Sequence, residues 1–313
     1  MKTNAVLFEA PNSVAIKPLH LKEQTQDAVL VKALWSGISS GTEKRLFDGT
    51  MPFFPGLQYP LVPGYETVGR VLKEDAAGQY DKGTLVLVPG ADCYREAAGL
   101  FGATAATLIA PAERVIRVDE DLAEDATLLS LAATAHHAVM RAEETPPDLV
   151  IGHGVLGRLV LRIMAALGLP LPTVWETDET RRSGNFSYIV TTAETEPGTR
   201  FAAILDASGT PDIIDLAVSR LMPGGTIILA GFYDARLSFG FPAAFMREAS
   251  IRISTEFRPA DLAAVTNLIA SGKLSLKGLI THSAPAGDAR QAYETAFRDP
   301  ACVKMILDWR TLQ

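Results

Sequence analysis

Asp148-Leu149-Val150-Ile151-Gly152-His153-Gly154-Val155-Leu156-Gly157-Arg158-Leu159-Val160-Leu161-Arg162-Ile163-Met164-Ala165-Ala166-Leu167-Gly168 decides the reading of this chain. A short apolar run, Leu149-Val150-Ile151, enters a Gly-x-Gly-x-x-Gly pattern that opens directly into an apolar helix closed by Gly168. Gly152 permits the tight turn out of the strand, Gly154 lets backbone N–H groups approach a pyrophosphate, and Gly157 lets helix and strand pack closely. The pattern alone is weak, but strand before and helix after make it a dinucleotide site. A second strand then delivers Glu176 about 19 residues past Gly157, where an acid meets the ribose hydroxyls. Gly152, His153, Gly154, Val155, Leu156, Gly157 and Glu176 are the candidate cofactor residues.

Glu176 also bears on which dinucleotide binds. A carboxylate there accepts from both ribose hydroxyls and repels a 2′-phosphate, which favours NAD. Arg181 and Arg182 could clamp such a phosphate; the plainer expectation is a solvated loop in which they pair with Asp178 and Glu179.

The rest of the composition excludes more than it specifies. At 313 residues the chain can fill two cores, and 48% apolar with 21% charged residues describes an ordinary globular protein. A formal net charge of −7 with no basic stripe excludes a nucleic-acid partner. Two cysteines, Cys93 and Cys302, fit a reducing compartment rather than a disulfide framework. No signal peptide or membrane-spanning run is read, so the expectation is a cytoplasmic protein, with a homodimer as one candidate assembly.

Residues 1–120 read as β-rich, with strands near 5–8, 28–35, 66–72, 84–88, 106–110 and 115–118. Among them, Met51 to Tyr65 carries four prolines and four aromatic residues, which argues against a regular element. From residue 121 helices and strands alternate: a helix over 123–142, then strands at 149–151, 172–176, 187–191, 202–206, 226–230 and 251–255. Six strands with crossovers predict an α/β domain with a doubly wound parallel sheet. Only about ten residues separate its second and third strands, so that crossover should be a loop or a single turn. Helices over 259–272 and 289–298 and a strand over 302–307 follow.

This arrangement resembles the medium-chain dehydrogenase/reductase superfamily. The resemblance is carried by Gly37-Ile38-Ser39-Ser40-Gly41-Thr42-Glu43, Pro63-Gly64-Tyr65-Glu66, the 152–157 loop, Asp206-Ala207-Ser208-Gly209, Pro223-Gly224-Gly225 with Ala230-Gly231-Phe232, and Leu279-Ile280-Thr281-His282. It implies a β-rich GroES-like catalytic domain over 1–120 and 257–313, and a Rossmann NAD-binding domain over 121–256. It also implies cofactor contacts at Ala207, Ser208, Gly231 and Phe232. Zinc-dependent members place a cysteine and a histidine where this chain has Ser39 and Tyr65, and their third ligand falls near Ser130. Hydroxyl and phenol are poor zinc ligands at neutral pH, and of a structural-zinc cysteine lobe only Cys93 lies nearby, so no metal is expected.

Without a Lewis acid, an alcohol must lose its proton to side chains. Ser39, Thr42 and Tyr65 sit where metal and relay would have been, and His136 is the best base by ordinary pKa. Each also has a plainer reading. Ser39 and Thr42 could cap a short helix at 43–47, Tyr65 could be a core aromatic, and His136 and His137 could occupy partly exposed helix positions. Glu66 reads as structural, bonding the turn or an arginine.

Several segments resemble a narrower family, the bacteriochlorophyllide a dehydrogenases. They are Trp35 to Glu43, Met51 to Glu66, Leu131 to Ala138, Gly152 to Leu159 with Thr173 to Thr177, Ala244 to Ala249, and Asp299 to Trp309. That resemblance implies oxidation of a 3-(1-hydroxyethyl) group on a bacteriochlorophyllide to 3-acetyl with NAD. A flat tetrapyrrole needs an apolar, aromatic-lined site, for which Phe53, Phe54, Tyr59 and Phe101 are the candidates, although any one ring could equally fill the core. Two other readings stay open: a zinc-free NAD(P)H-dependent quinone or enoyl reductase, and a non-catalytic NAD-binding protein.

Overall fold

The computed structural model describes residues 1–233 and 236–312, and the chain divides into two units, Met1–Leu128 with Lys277–Gln313 and Leu129–Leu276.

In the second unit all six expected strands form, at Leu149–Ile151, Thr173–Trp175, Val190–Thr191, Phe201–Asp206, Leu221–Leu229 and Ser250–Ile253. Every pairing is parallel, and the spatial order is third, second, first, fourth, fifth, sixth. That is the order of the Rossmann sheet, whose ligands bind at the carboxyl ends of the strands where the order reverses. Leu149, Ile151, Trp175, Ile204 and Ile227 fill one side of it. The short crossover holds a single helical turn, Glu179–Arg182, as the spacing required.

The first unit is built on a seven-stranded sheet around the long strand Ala28–Ile38. Antiparallel partners of that strand include Thr67–Lys73, Thr107–Pro111 and, from the far end of the chain, Met305–Asp308. The return of the C-terminus to the N-terminal sheet is thus made by backbone hydrogen bonds. The strand Ala15–His20, unread in the sequence, pairs with Lys2–Leu7; it contains Pro18 and buries only Leu19, so it carries almost no apolar alternation. Between Met51 and Tyr65 only Leu61–Val62 is regular.

Three expectations need correction. The helix read over 123–142 is two elements, a 3-10 segment Glu120–Leu128 broken at Ala123 (φ 46°) and the α-helix Leu129–Met140. The acid-rich start of that stretch has no apolar face to bury, and the buried face begins only at Ala126. The closing strand runs Met305–Asp308 rather than 302–307. Finally, the unit boundaries fall at 128/129 and 276/277 rather than 120/121 and 256/257. The cause of this last shift is the helix Pro259–Ala270. It packs on Leu129–Met140, and its buried Asp261 accepts from Nδ1 of His136 (2.8 Å) and of His137 (2.9 Å). Among the described residues no helix is long and apolar enough to cross a membrane.

Candidate active site

The glycines of the 152–157 loop have the geometry their positions demand. Gly152 has φ 96°, a left-handed conformation, and a Cβ there would meet the Ser208 backbone at 3.0 Å. A Cβ on Gly157 would lie 2.0 Å from the Gly152 carbonyl oxygen, so helix and turn touch directly. Gly154 precedes the helix Val155–Ala166 and faces open space, which leaves the first-turn N–H groups approachable by an anion.

Glu176 ends the second strand, buried, with both carboxylate oxygens engaged. Oε2 accepts from the His153 N–H at 2.8 Å and Oε1 from the Asp178 N–H at 2.9 Å. Each oxygen keeps a further lone pair for a ribose hydroxyl. His153 is fully buried; its Nδ1 bonds the Arg181 carbonyl (2.8 Å) and its Nε2 the Tyr188 hydroxyl (2.9 Å). Burial, with Arg158 and Arg181 nearby, lowers its pKa and keeps the ring neutral. Of the two arginines expected to pair with Asp178 and Glu179, Arg182 turns to backbone carbonyls instead. Arg182 donates to the Glu176 and Thr177 carbonyls, Arg158 donates to the His153 and Arg181 carbonyls, and Asp178 caps the Arg181 N–H.

The next loop is organised by Asp206, which was not among the expected site residues. Its carboxylate accepts from the Ser208 N–H (3.1 Å), the Ser208 hydroxyl (2.6 Å), the Gly209 N–H (3.3 Å) and the Tyr233 hydroxyl. Burial raises its pKa against those four donors. Ala207 and Ser208 are therefore held beside Gly152, Gly231 lies against Gly209, and Phe232 remains 39% exposed.

In the first unit the strand Ala28–Ile38 delivers Ser39, and the helix Thr42–Asp48 begins three residues later. The Tyr65 hydroxyl donates to Ser39 Oγ at 2.8 Å, and the nearby Thr42 side chain favours the ionised phenol slightly. Neither Ser39 nor Thr42 caps the helix: its N-cap is Gly41, which has no side chain to offer. Burial first, then the charges of Glu66 and Glu43, push the Tyr65 phenol far above its usual range. Phe101 meets Tyr65 edge-on at 5.3 Å, and Phe54 meets Phe101 at 5.8 Å. Phe53 is 96% exposed, whereas Tyr59 spends its hydroxyl on the Leu46 carbonyl and packs on the core.

Beneath this pair lie groups the sequence did not bring together. Glu43 is wholly buried, accepting from the Ser39 N–H (3.0 Å) and the Tyr293 hydroxyl (2.6 Å). Glu66 is buried against the Lys304 ammonium, so its partner is a lysine and not an arginine. Gly37 is required here, since a Cβ would fall 2.2 Å from Glu66 Oε2. Partners 238 and 250 residues apart leave no local signal; only the small Gly37 and the acid at 43 could have hinted at them.

His136 is in the second unit, buried rather than partly exposed, and shares Asp261 with His137. The Ser39–Thr42–Tyr65 group is thus assembled within one unit, and His136 is engaged within the other. The donors do not suit zinc. A bonded phenol held far from ionising and a serine hydroxyl replace thiolate and imidazole, and the buried Ser130 hydroxyl lies in the second unit. Among the described residues no group of three or more His, Cys, Asp or Glu could hold a metal.

The alcohol dehydrogenase GroES-like domain matches residues 25–120. Over 311 residues the chain is 46% identical to the 2-desacetyl-2-hydroxyethyl bacteriochlorophyllide A dehydrogenase of Rhodobacter capsulatus, covering 99% of both chains. The chain belongs to that dehydrogenase family. The enzyme of the same name from Cereibacter sphaeroides is 45% identical over 315 residues, again covering 99% of both. An alcohol dehydrogenase from E. coli CFT073, solved with NADH, shares the fold at a TM-score of 0.81 and 21% identity, over 98% of this chain and 99% of that one. The family has the medium-chain dehydrogenase fold, a GroES-like domain joined to a dinucleotide-binding Rossmann sheet.

Proposed function

We infer that the chain performs the dehydrogenation for which its family is named, acting on the hydroxyethyl group of a bacteriochlorophyllide in bacteriochlorophyll biosynthesis. The observation that carries this is full-length kinship at 46% identity, the unusual segment from Met51 to Glu66 included in the matched length. Oxidation of such a secondary alcohol removes a hydride from the carbinol carbon and a proton from its oxygen, leaving the acetyl C=O. A dinucleotide held by the 152–157 loop and Glu176 would supply the hydride acceptor.

NAD is the favoured dinucleotide. Glu176 offers acceptors to both ribose hydroxyls, and Arg158 and Arg182 spend donors on backbone carbonyls that hold the loop. Handling of the proton falls to hydroxyls in place of a metal. Tyr65 donates to Ser39 Oγ, and Ser39 is half-buried, so a proton released by the alcohol can pass over these two hydroxyls to water at Ser39 without a resting phenolate. Phe54 and Phe101, with Phe53 open to solvent, offer ring surface to the tetrapyrrole, while Tyr59 anchors their loop. His136 is assigned to packing, because its Nδ1 is tied to the Asp261 carboxylate.

The test is incubation of the chelator-treated protein with NAD and 3-(1-hydroxyethyl) bacteriochlorophyllide a. The new carbonyl joins the macrocycle's conjugation and should shift its absorption as NADH appears. No turnover by protein with bound NAD would overturn the reading, and restoration only by added zinc would overturn its metal-free form.

A further inference from the structure

Glu43 is a carboxylate that the hydroxyl relay does not use, yet it is fastened to it. It stands in the first turn of Thr42–Asp48 with no solvent exposure, and its Oε1 accepts from the Ser39 N–H at 3.0 Å. The groups facing it come from four elements. They are Tyr293 on Ala289–Arg298, Tyr65 and Glu66 ahead of Thr67–Lys73, Lys304 ahead of Met305–Asp308, and Ser39 at the end of Ala28–Ile38. Two buried carboxylates against one ammonium leave the cluster a proton short of neutrality, and unpaired buried charge is costly. Glu66 Oε1 is buried with no hydrogen-bond partner, a second sign that the cluster has room for one more proton.

We propose that Glu43 is a titrating positioning residue of the dehydrogenation, gripping the Ser39 amide when ionised and thereby fixing the Oγ that accepts from Tyr65. A charge-assisted hydrogen bond is about twice as strong as a neutral one, so protonation loosens that grip. Burial, and after it the Glu66 charge, raises the Glu43 carboxyl to about 7 against the Tyr293 hydroxyl, the Ser39 N–H and Lys304. The switch therefore falls in the neutral range. The inference rests on the dehydrogenase reading of the site.

The experiment is single-turnover NADH formation from 3-(1-hydroxyethyl) bacteriochlorophyllide a across the neutral pH range, with infrared titration of the substrate-free protein beside it. For the parent, the rate should rise with pH and level off above about 7, following a carboxyl C=O band that disappears over the same range. Glu43→Gln should abolish both the bend and the band. Its rate should stay about tenfold or more below the parent plateau, within the usual size of acid–base effects, while NAD affinity is kept. Tyr293→Phe removes a donor to the carboxylate and should move the bend up; Glu66→Gln removes a like charge and should move it down. Those opposite shifts decide the matter if Glu43→Gln does not fold. A parent rate without the bend, a bend that survives Glu43→Gln, or shifts of the same sign would overturn the proposal. A parent that titrates in the infrared but never oxidises the substrate would instead overturn the function.

Discussion

The two halves of the chemistry are built in opposite ways. Around Gly152–Gly157 the work is done by backbone: a left-handed glycine, a helix start open to an anion, and carboxylates of Glu176 and Asp206 whose partners are largely N–H groups of adjacent loops. Around Ser39 and Tyr65 it is done by side chains stacked into the interior, Glu43 with Tyr293 and Glu66 with Lys304. A backbone site tolerates substitution wherever glycine geometry is spared. A side-chain site stakes its function on each protonation state, because buried groups have no water to fall back on.

The contrast is most exposed at the hydroxyl pair. Ser39→Ala and Tyr65→Phe should each lower the hydride-transfer rate roughly ten- to a thousandfold, the range for groups that donate or accept in the transition state, with NAD affinity unchanged in titration. If both keep the parent rate, the side-chain half is mere packing and the comparison collapses.

Next in size is acid–base linkage. The folded Glu43 carboxyl lies at about 7 against an ordinary 4.5. Folding therefore favours its protonated form, and the stabilisation is complete below about 4.5 and lost as pH rises through about 7. Thermal melts should show stability falling over that window by on the order of a few kcal/mol, and Glu43→Gln should flatten it.

On the backbone side, Glu176→Ala should weaken NAD by about tenfold to a hundredfold, as expected for loss of hydrogen bonds to a charged acceptor, and narrow its lead over NADP. Equal affinities in the parent would show that the loop does not discriminate. The smallest kinetic effect should be that of His136→Ala. It should leave the pH profile of the rate intact while costing about 1–3 kcal/mol of stability, because one Asp261 oxygen loses its partner. A changed pH profile would return His136 to the reaction.

This division also explains what could be read in advance. Glycine spacing, strand periodicity and the short crossover are local, so the Rossmann sheet, its loop and the acid at 176 were legible, and the family resemblance supplied the GroES-like half. Strand Ala15–His20, with its proline and single buried residue, gave no periodic signal. Tyr293 and Lys304 were invisible as site residues because their partners lie more than 200 residues away. The tie of His136 to Asp261, 125 positions further on, was equally out of reach, because the ordinary pKa that made it a candidate base is a property of the residue type alone.

Asp261 sets where this chain can be cut. By sequence order the helix Pro259–Ala270 looks like the beginning of the return to the first unit, and a fragment ending at 256 would seem a natural dinucleotide-binding piece. Such a fragment would strip two buried imidazoles of their single shared acceptor and uncover the flank of Leu129–Met140. One that runs on to Leu276 keeps the clasp and the covered flank together. Anyone grafting this nucleotide-binding half onto another catalytic partner should carry those last twenty residues along.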